Sequence, residues 1–100
     1  MIRFERTLRA LGGKGREATA WAQEVTTYLN GKFAETNLQV FAQRFGDVNT
    51  ISWQADFDSL ESLNDYQRAI NSDMSYWQLV DKTDGFFLEG SINDTVLESL

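Results

Sequence analysis

The chain has 100 residues, a formal net charge of −6 and neither cysteine nor histidine. The absence of these two residue types excludes disulfides, thiolate nucleophiles, histidine-based catalysis and metal or haem ligation through either side chain, so no cofactor is expected. The acidic charge disfavours nucleic acid as a partner, because phosphate binding depends on clustered lysine and arginine.

The length and the hydropathy pattern describe a globular chain. One hundred residues allow one packed core, so we expect a single domain over residues 1–100. No segment has the apolar length of a signal peptide or of a membrane span. We therefore expect a soluble, cytoplasmic protein that does not associate with membranes.

The first third of the chain predicts a strand and a helix. Residues 2–11 alternate between apolar and polar side chains, which is typical of a strand with one buried face, although Arg6 interrupts the apolar side. Glycines follow, and residues 14–33 then carry apolar side chains at three- and four-residue spacing, which predicts an amphipathic helix that ends near Gly31.

Two further strands are predicted in the middle of the chain. Residues 38–45 and 50–57 both alternate, and the turn residues Gly46, Asp47 and Asn49 lie between them. This pattern predicts an antiparallel hairpin.

The last third predicts helix and then strand. Asp58 or Ser59 caps a helix whose apolar stripe runs to Ile70, and Asp73 can begin a separate helical turn. Residues 86–92 alternate again, which predicts the final strand, followed by a tail over residues 93–100 whose apolar side chains require burial.

The order strand, helix, strand, strand, helix, strand predicts an α+β domain with the ferredoxin-like βαββαβ topology. Its four-stranded antiparallel sheet would carry both helices on one face and leave the other face open. Phe41, Phe45 and Phe87 fall on that open face, where exposure to water is unfavourable. We therefore predict that a second copy of the chain covers the face, so that the protein is a homodimer enclosing a partly polar cavity.

The second half of the chain also resembles a known group of domains. Residues 53–63 contain the end of a strand, an acidic and aromatic pair, and then a helix that begins with Ser-Leu. Residues 73–80 follow with the pattern Asp-x-x-Tyr-x-x-Leu, which indicates a helical turn. This segment resembles the dimeric α+β barrel domains, in particular the NIPSNAP-like and antibiotic-biosynthesis-monooxygenase-like members. The resemblance implies a homodimer with a pocket for a small organic molecule and, in some relatives, cofactor-independent oxidation of polycyclic substrates or haem breakdown. The absence of histidine argues against haem breakdown here.

Polar residues predicted on the open face form the first candidate binding group. Arg3, Glu5 and Glu89 would lie on one face of the first and last strands, either as a ligand clamp or as an ion-pair network that sets the dimer register. Gln43 and Gln54 on the hairpin would bind a substrate carbonyl or remain solvated surface.

Tryptophans form the second candidate group. Trp53 and Trp77, together with Trp21, would either line a pocket for an aromatic ligand or belong to the core.

The sequence leaves three candidate functions. The first is a homodimer that binds a small organic or aromatic molecule in a barrel or sheet–helix pocket. The second is a cofactor-independent monooxygenase or isomerase for such a molecule, and the third is a purely structural dimerisation module.

Overall fold

A computed structural model describes all residues 1–100. The elements are, in chain order, β1 (Ile2–Arg9), α1 (Gly15–Lys32), β2 (Gln39–Ala42), β3 (Thr50–Phe57), α2 (Leu60–Asn71), α3 (Met74–Asp81) and β4 (Asn93–Glu98). The strands form one antiparallel sheet in the order β2-β3-β1-β4, which confirms the predicted ferredoxin-like α+β fold. None of the three helices combines the length and the apolar character needed to cross a bilayer.

The two central strands supply the floor of the core. Phe4 lies opposite Ala55 and Leu8 lies opposite Ile51, so that the apolar sides of β1 and β3 share one face of the sheet. This is the face that the helices cover, and it confirms the predicted alternation along both strands.

Helix α1 lies over this face through the predicted apolar stripe. Trp21, Val25 and Leu29 are buried against the sheet, as helical spacing requires. The side-chain amide of Asn30 donates to the carbonyl of Leu38 at 2.9 Å and accepts from its backbone N–H at 3.0 Å, which joins the end of α1 to the start of the hairpin.

Helices α2 and α3 are separate because each has its own cap. The Ser59 hydroxyl accepts from the Ser62 N–H at 3.1 Å, and the Asp73 carboxylate accepts from the Ser75 N–H at 3.2 Å. Asp73 is buried and also accepts a 2.6 Å hydrogen bond from the Tyr28 hydroxyl and a 3.1 Å one from Lys32 Nζ. It therefore ties α3 to α1.

Replacing Asp73 with alanine is expected to lower the melting temperature at neutral pH by about 4–8 °C, because a helix cap and two inter-helix hydrogen bonds are lost together. The hydrogen bonds from Tyr28 and Lys32 hold the pKa of Asp73 below its ordinary value. The stabilisation is thus fully present above the ordinary carboxyl pKa and is lost as the pH falls through the lower folded value.

Thermal melts of Asp73→Asn across that pH range isolate the charge, since asparagine keeps the capping oxygen. The difference between Asp73→Asn and the wild type should shrink as the pH falls. Asp65→Ala is the matched control, because Asp65 is exposed and its side chain forms an ion pair with Arg68 on the same helix. A loss in Asp65→Ala as large as in Asp73→Ala would contradict the linking role of Asp73.

The prediction of the final strand is wrong. Residues 86–92 form turns with a single bridge between Phe87 and Ala10, and the edge strand β4 begins at Asn93. Gly85 and Gly90 both have φ of +78°, a conformation that breaks an extended run. The Phe87 ring packs edge-on against Trp21 at 5.6 Å between centroids, so it lies on the helix side and not on the open face.

The segment treated as a tail therefore supplies β4. It pairs with β1 such that Phe4 lies opposite Val96 and Arg3 opposite Leu97. The predicted burial of Val96, Leu97 and Leu100 is wrong within one chain, since all three are exposed. Strand β2 is also shorter than predicted, because the chain leaves the ladder after Ala42 and enters the turn at Gly46.

Candidate functional site

A cavity of about 300 Å³ lies between the covered face of the sheet and the helices. It is predominantly apolar, and ten of its fourteen lining residues are hydrophobic. The hydrophobic residues are Phe4, Leu8, Trp21, Val25, Leu29, Leu38, Trp53, Tyr66, Ile70 and Tyr76. A concave apolar site with a few polar groups is the usual form of a small-molecule pocket.

Two tryptophans form a rigid wall of the cavity. Trp21 and Trp53 pack edge to face with their centroids 6.1 Å apart. Trp21 Nε1 donates to the carbonyl of Leu79 at 2.7 Å, and Trp53 Nε1 donates to Thr26 Oγ1 at 3.1 Å. Because both indole N–H groups have protein partners, the rings offer a ligand apolar and aromatic surface only.

An ion pair forms the polar end of the cavity. Arg6 reaches from β1 to Asp94 on β4, with Nε–Oδ1 at 2.7 Å and a second hydrogen bond from the guanidinium to Oδ2 at 2.8 Å. The hydrogen bonding of the guanidinium to the Asp94 carboxylate raises the pKa of Arg6, and the guanidinium carbon lies 5.6 Å from the centre of the Phe4 ring. This pairing explains how a charged residue is accommodated on the apolar side of β1.

Two phenols complete the cavity. Burial raises the pKa of Tyr66 to about 12 and also raises the pKa of Tyr76, which Arg6 partly opposes. Both hydroxyls are therefore protonated at neutral pH and able to donate a hydrogen bond. The Tyr66 hydroxyl is buried and has no hydrogen-bond partner.

Sequence reasoning missed most of these polar groups. The one available signal was Arg6, since a charged side chain on a buried strand face requires a partner. Tyr66 and Tyr76 occupy helical stripes in which only the hydroxyl distinguishes them from core residues. Asp94 carried no signal because its segment was not predicted as a strand.

The structure divides the predicted tryptophans. Trp53 lines the cavity. Trp77 lies on the outer side of α3, 45% exposed, and donates its Nε1 to the carbonyl of Asn71 at 2.8 Å. The predicted pairing of Trp53 and Trp77 as two walls of one pocket does not occur, and Trp21 is the partner of Trp53.

Three predicted polar residues lie on the open face of the sheet. Arg3 forms two hydrogen bonds with Asp56, at 2.9 and 3.2 Å, and holds the pKa of Asp56 below its ordinary value. Glu5 accepts from the Gln54 side chain at 2.7 Å. These pairs link neighbouring strands across the open face.

Gln43 and Glu89 lie apart from that group. The Gln43 side chain donates to the carbonyl of Phe45 at 2.7 Å within the turn after β2. Glu89 is in the turn before β4, next to Leu88, whose N–H donates to the carbonyl of Arg9 at 2.8 Å. Because Arg9 is six residues from Arg3 along β1, Glu89 and Arg3 lie near opposite ends of a strand, roughly 20 Å apart.

Solved structures with the same architecture are found among bacterial proteins. A NIPSNAP domain protein from Burkholderia xenovorans superposes with a TM-score of 0.83 at 15% identity, covering 100% of this chain and 95% of that one. A NIPSNAP family protein from Agrobacterium tumefaciens superposes with a TM-score of 0.78 at 18% identity, covering 99% and 92%. The chain has the NIPSNAP fold.

A third structure widens the comparison. A protein from Deinococcus radiodurans, described as a candidate antibiotic biosynthesis monooxygenase, superposes on the present chain with a TM-score of 0.68 at 12% identity. The match covers 99% of this chain and 92% of that one. No protein-family model and no curated protein matches the sequence. The predicted resemblance is thus confirmed at the level of the fold, and the site of this NIPSNAP-like chain has to be interpreted from its own residues.

Proposed function

We propose that this NIPSNAP-like protein binds a small organic molecule in the cavity between its sheet and its helices. The observation that carries the proposal is the cavity itself, about 300 Å³ in volume, with a tryptophan wall and a confined polar end. The walls come from β1, α1, β3, α2, α3 and β4 and are held by hydrogen bonds that do not involve a ligand. A site that is formed in advance binds without a large ordering cost.

The first test is binding of 1-tetralone, a small ring ketone, followed by thermal melting. Saturating compound is expected to raise the melting temperature, and stabilisation by about 2.7 kcal/mol corresponds to a concentration 100 times the Kd. Isothermal titration then gives the affinity directly.

Matched variants locate the binding. Ile70→Trp fills the cavity from α2 and should abolish the stabilisation, whereas Ala69→Trp adds the same side chain at an exposed neighbouring position and should keep it. Failure of 1-tetralone and of its hydrocarbon analogue tetralin to bind the wild type would argue against the cavity as a binding site. It would favour the purely structural role.

We also propose that the chain forms a homodimer through the open face of the sheet. Phe41 and Leu97 are 45% and 54% exposed there, on β2 and β4. They flank the pairs formed by Arg3 and Glu5, so the face combines apolar edges with internally satisfied polar groups. An identical face related by a two-fold axis would cover both edges.

Catalysis is the second candidate, as a cofactor-independent monooxygenase or isomerase. Two protonated phenols in an apolar cavity favour it, since Tyr66 or Tyr76 could assist proton transfer to a bound molecule. Consumption of a bound compound in air, followed by mass spectrometry, distinguishes it from binding alone. Recovery of the compound unchanged would support the binding role.

A further inference from the structure

The Tyr66 side chain is held firmly where it lines the cavity. Its ring packs against Phe57 at 5.3 Å between centroids and against Phe33 at 5.9 Å. These contacts restrict the ring, so the position of the hydroxyl is determined by packing and not by a hydrogen bond. Tyr76 is a second phenol that lines the same cavity.

The Tyr66 hydroxyl is the one buried side-chain polar atom of the chain without a hydrogen-bond partner. The two indoles and the guanidinium of the cavity have partners: Trp21 donates to Leu79, Trp53 to Thr26, and Arg6 to Asp94. Buried polar groups are paired in the great majority of cases, and an exception requires an explanation. A bound molecule that supplies the missing partner is such an explanation.

The chemistry of the partner follows from the protonation of Tyr66. With a pKa of about 12 the phenol keeps its proton at neutral pH, so it requires an acceptor. A ketone or ether oxygen in the ligand meets this requirement.

The charge of the ligand follows from the ion pair. Arg6 and Asp94 neutralise each other through two hydrogen bonds, so the cavity has no net charge from them. An anionic ligand would have to compete with Asp94 for Arg6, and a cationic ligand would have to compete with Arg6 for Asp94. An uncharged molecule avoids both desolvation penalties.

From these four observations we infer that the cavity recognises an uncharged apolar molecule carrying a hydrogen-bond acceptor, and that the Tyr66 hydroxyl donates to this acceptor. The inference rests on the proposed binding function and specifies its ligand class. Tyr66 is thereby a binding residue that selects between molecules of equal shape.

The experiment compares 1-tetralone with tetralin by isothermal titration. The two share a bicyclic frame and differ in one carbonyl oxygen. The wild type is expected to bind 1-tetralone about tenfold more tightly than tetralin, the preference that one buried hydrogen bond typically supplies. Tyr66→Phe should lose this preference by weakening 1-tetralone alone, while its melting temperature stays equal to or above that of the wild type.

A charged analogue tests the second half of the inference. 1-Naphthoate, an anion at neutral pH, should bind the wild type more weakly than 1-tetralone, and tighter binding of 1-naphthoate would overturn the neutral-ligand assignment. Equal binding of 1-tetralone and tetralin, or a tenfold preference that persists in Tyr66→Phe, would overturn the role of Tyr66 while leaving the proposed function intact. Absence of binding by both ring compounds would overturn the proposed function and this inference together.

Discussion

Replacing Trp53 with alanine is expected to lower the free energy of unfolding by about 3–5 kcal/mol, since a large buried side chain is removed from a packed core. Trp53 is only 6% exposed and packs against Trp21, and its indole N–H is hydrogen-bonded to Thr26. The substitution therefore removes packing, opens the cavity and leaves the Thr26 hydroxyl without one of its partners.

Urea denaturation followed by circular dichroism, at one fixed protein concentration, measures this loss. Such a change is a large fraction of the total stability of a domain, about 5–15 kcal/mol, and should lower the melting temperature by at least about 12 °C. Trp77→Ala is the matched control, because Trp77 is 45% exposed and makes one hydrogen bond to a carbonyl. We expect it to lose only about 1 kcal/mol, from this hydrogen bond and from the edge-to-face contact of its ring with Tyr76.

The comparison of Trp53→Ala with Trp77→Ala tests whether Trp53 lies in the core or at the periphery of the domain. If Trp53→Ala and Trp77→Ala lost similar free energies, the position of Trp53 at the centre of the core would be wrong. A larger loss in Trp53→Ala by at least about 2 kcal/mol would support it.

Replacing Phe41 with aspartate is expected to raise the dissociation constant of the proposed homodimer at least about 100-fold, because a large apolar contact of the interface is replaced by a charge. Phe41 lies opposite Ser52 on the open face, at 45% exposure. An aspartate there would place a charge on each subunit at the surface that the partner covers, with an uncompensated desolvation cost.

Sedimentation equilibrium over a wide concentration range measures the dimer directly. Met74→Asp is the matched control, because Met74 is 77% exposed on α3, in the layer opposite the open face, and its replacement adds the same charge. The control should dimerise as the wild type does. A wild type that remains monomeric at every concentration, or a Phe41→Asp variant that dimerises normally, would contradict pairing through this face.

The proposed dimer and the proposed ligand binding can be tested independently. The cavity lies on the helix side of the sheet, whereas the proposed dimer uses the other side. A Phe41→Asp monomer is therefore expected to keep its affinity for 1-tetralone. This separation allows binding to be studied without the complication of a dimer equilibrium.

Local sequence patterns were sufficient for most of the elements. The alternation along residues 50–57 predicted β3 with its observed limits, and the capping residues Ser59 and Asp73 marked the starts of α2 and α3. These patterns are reliable because burial of one face and satisfaction of the helix N–H groups depend on neighbours close in sequence.

The end of the chain shows where local patterns are insufficient. Residues 86–92 show the alternation of a strand and residues 93–98 do not, yet the second segment is the one that pairs with β1. Left-handed glycines at positions 85 and 90 support turns in the first segment, but glycine alone does not reveal which conformation it adopts.

The candidate site was determined by tertiary structure, because its groups come from distant parts of the chain. Composition by itself excluded histidine and cysteine chemistry, and the amphipathic patterns predicted a sheet with one covered face. Arg6 meets Asp94 across 88 positions of sequence, and Trp21 meets Trp53 only when α1 lies on the sheet. Such contacts depend on strand order and helix docking, which require the whole fold, so the cavity and its unpartnered Tyr66 hydroxyl are visible only in three dimensions.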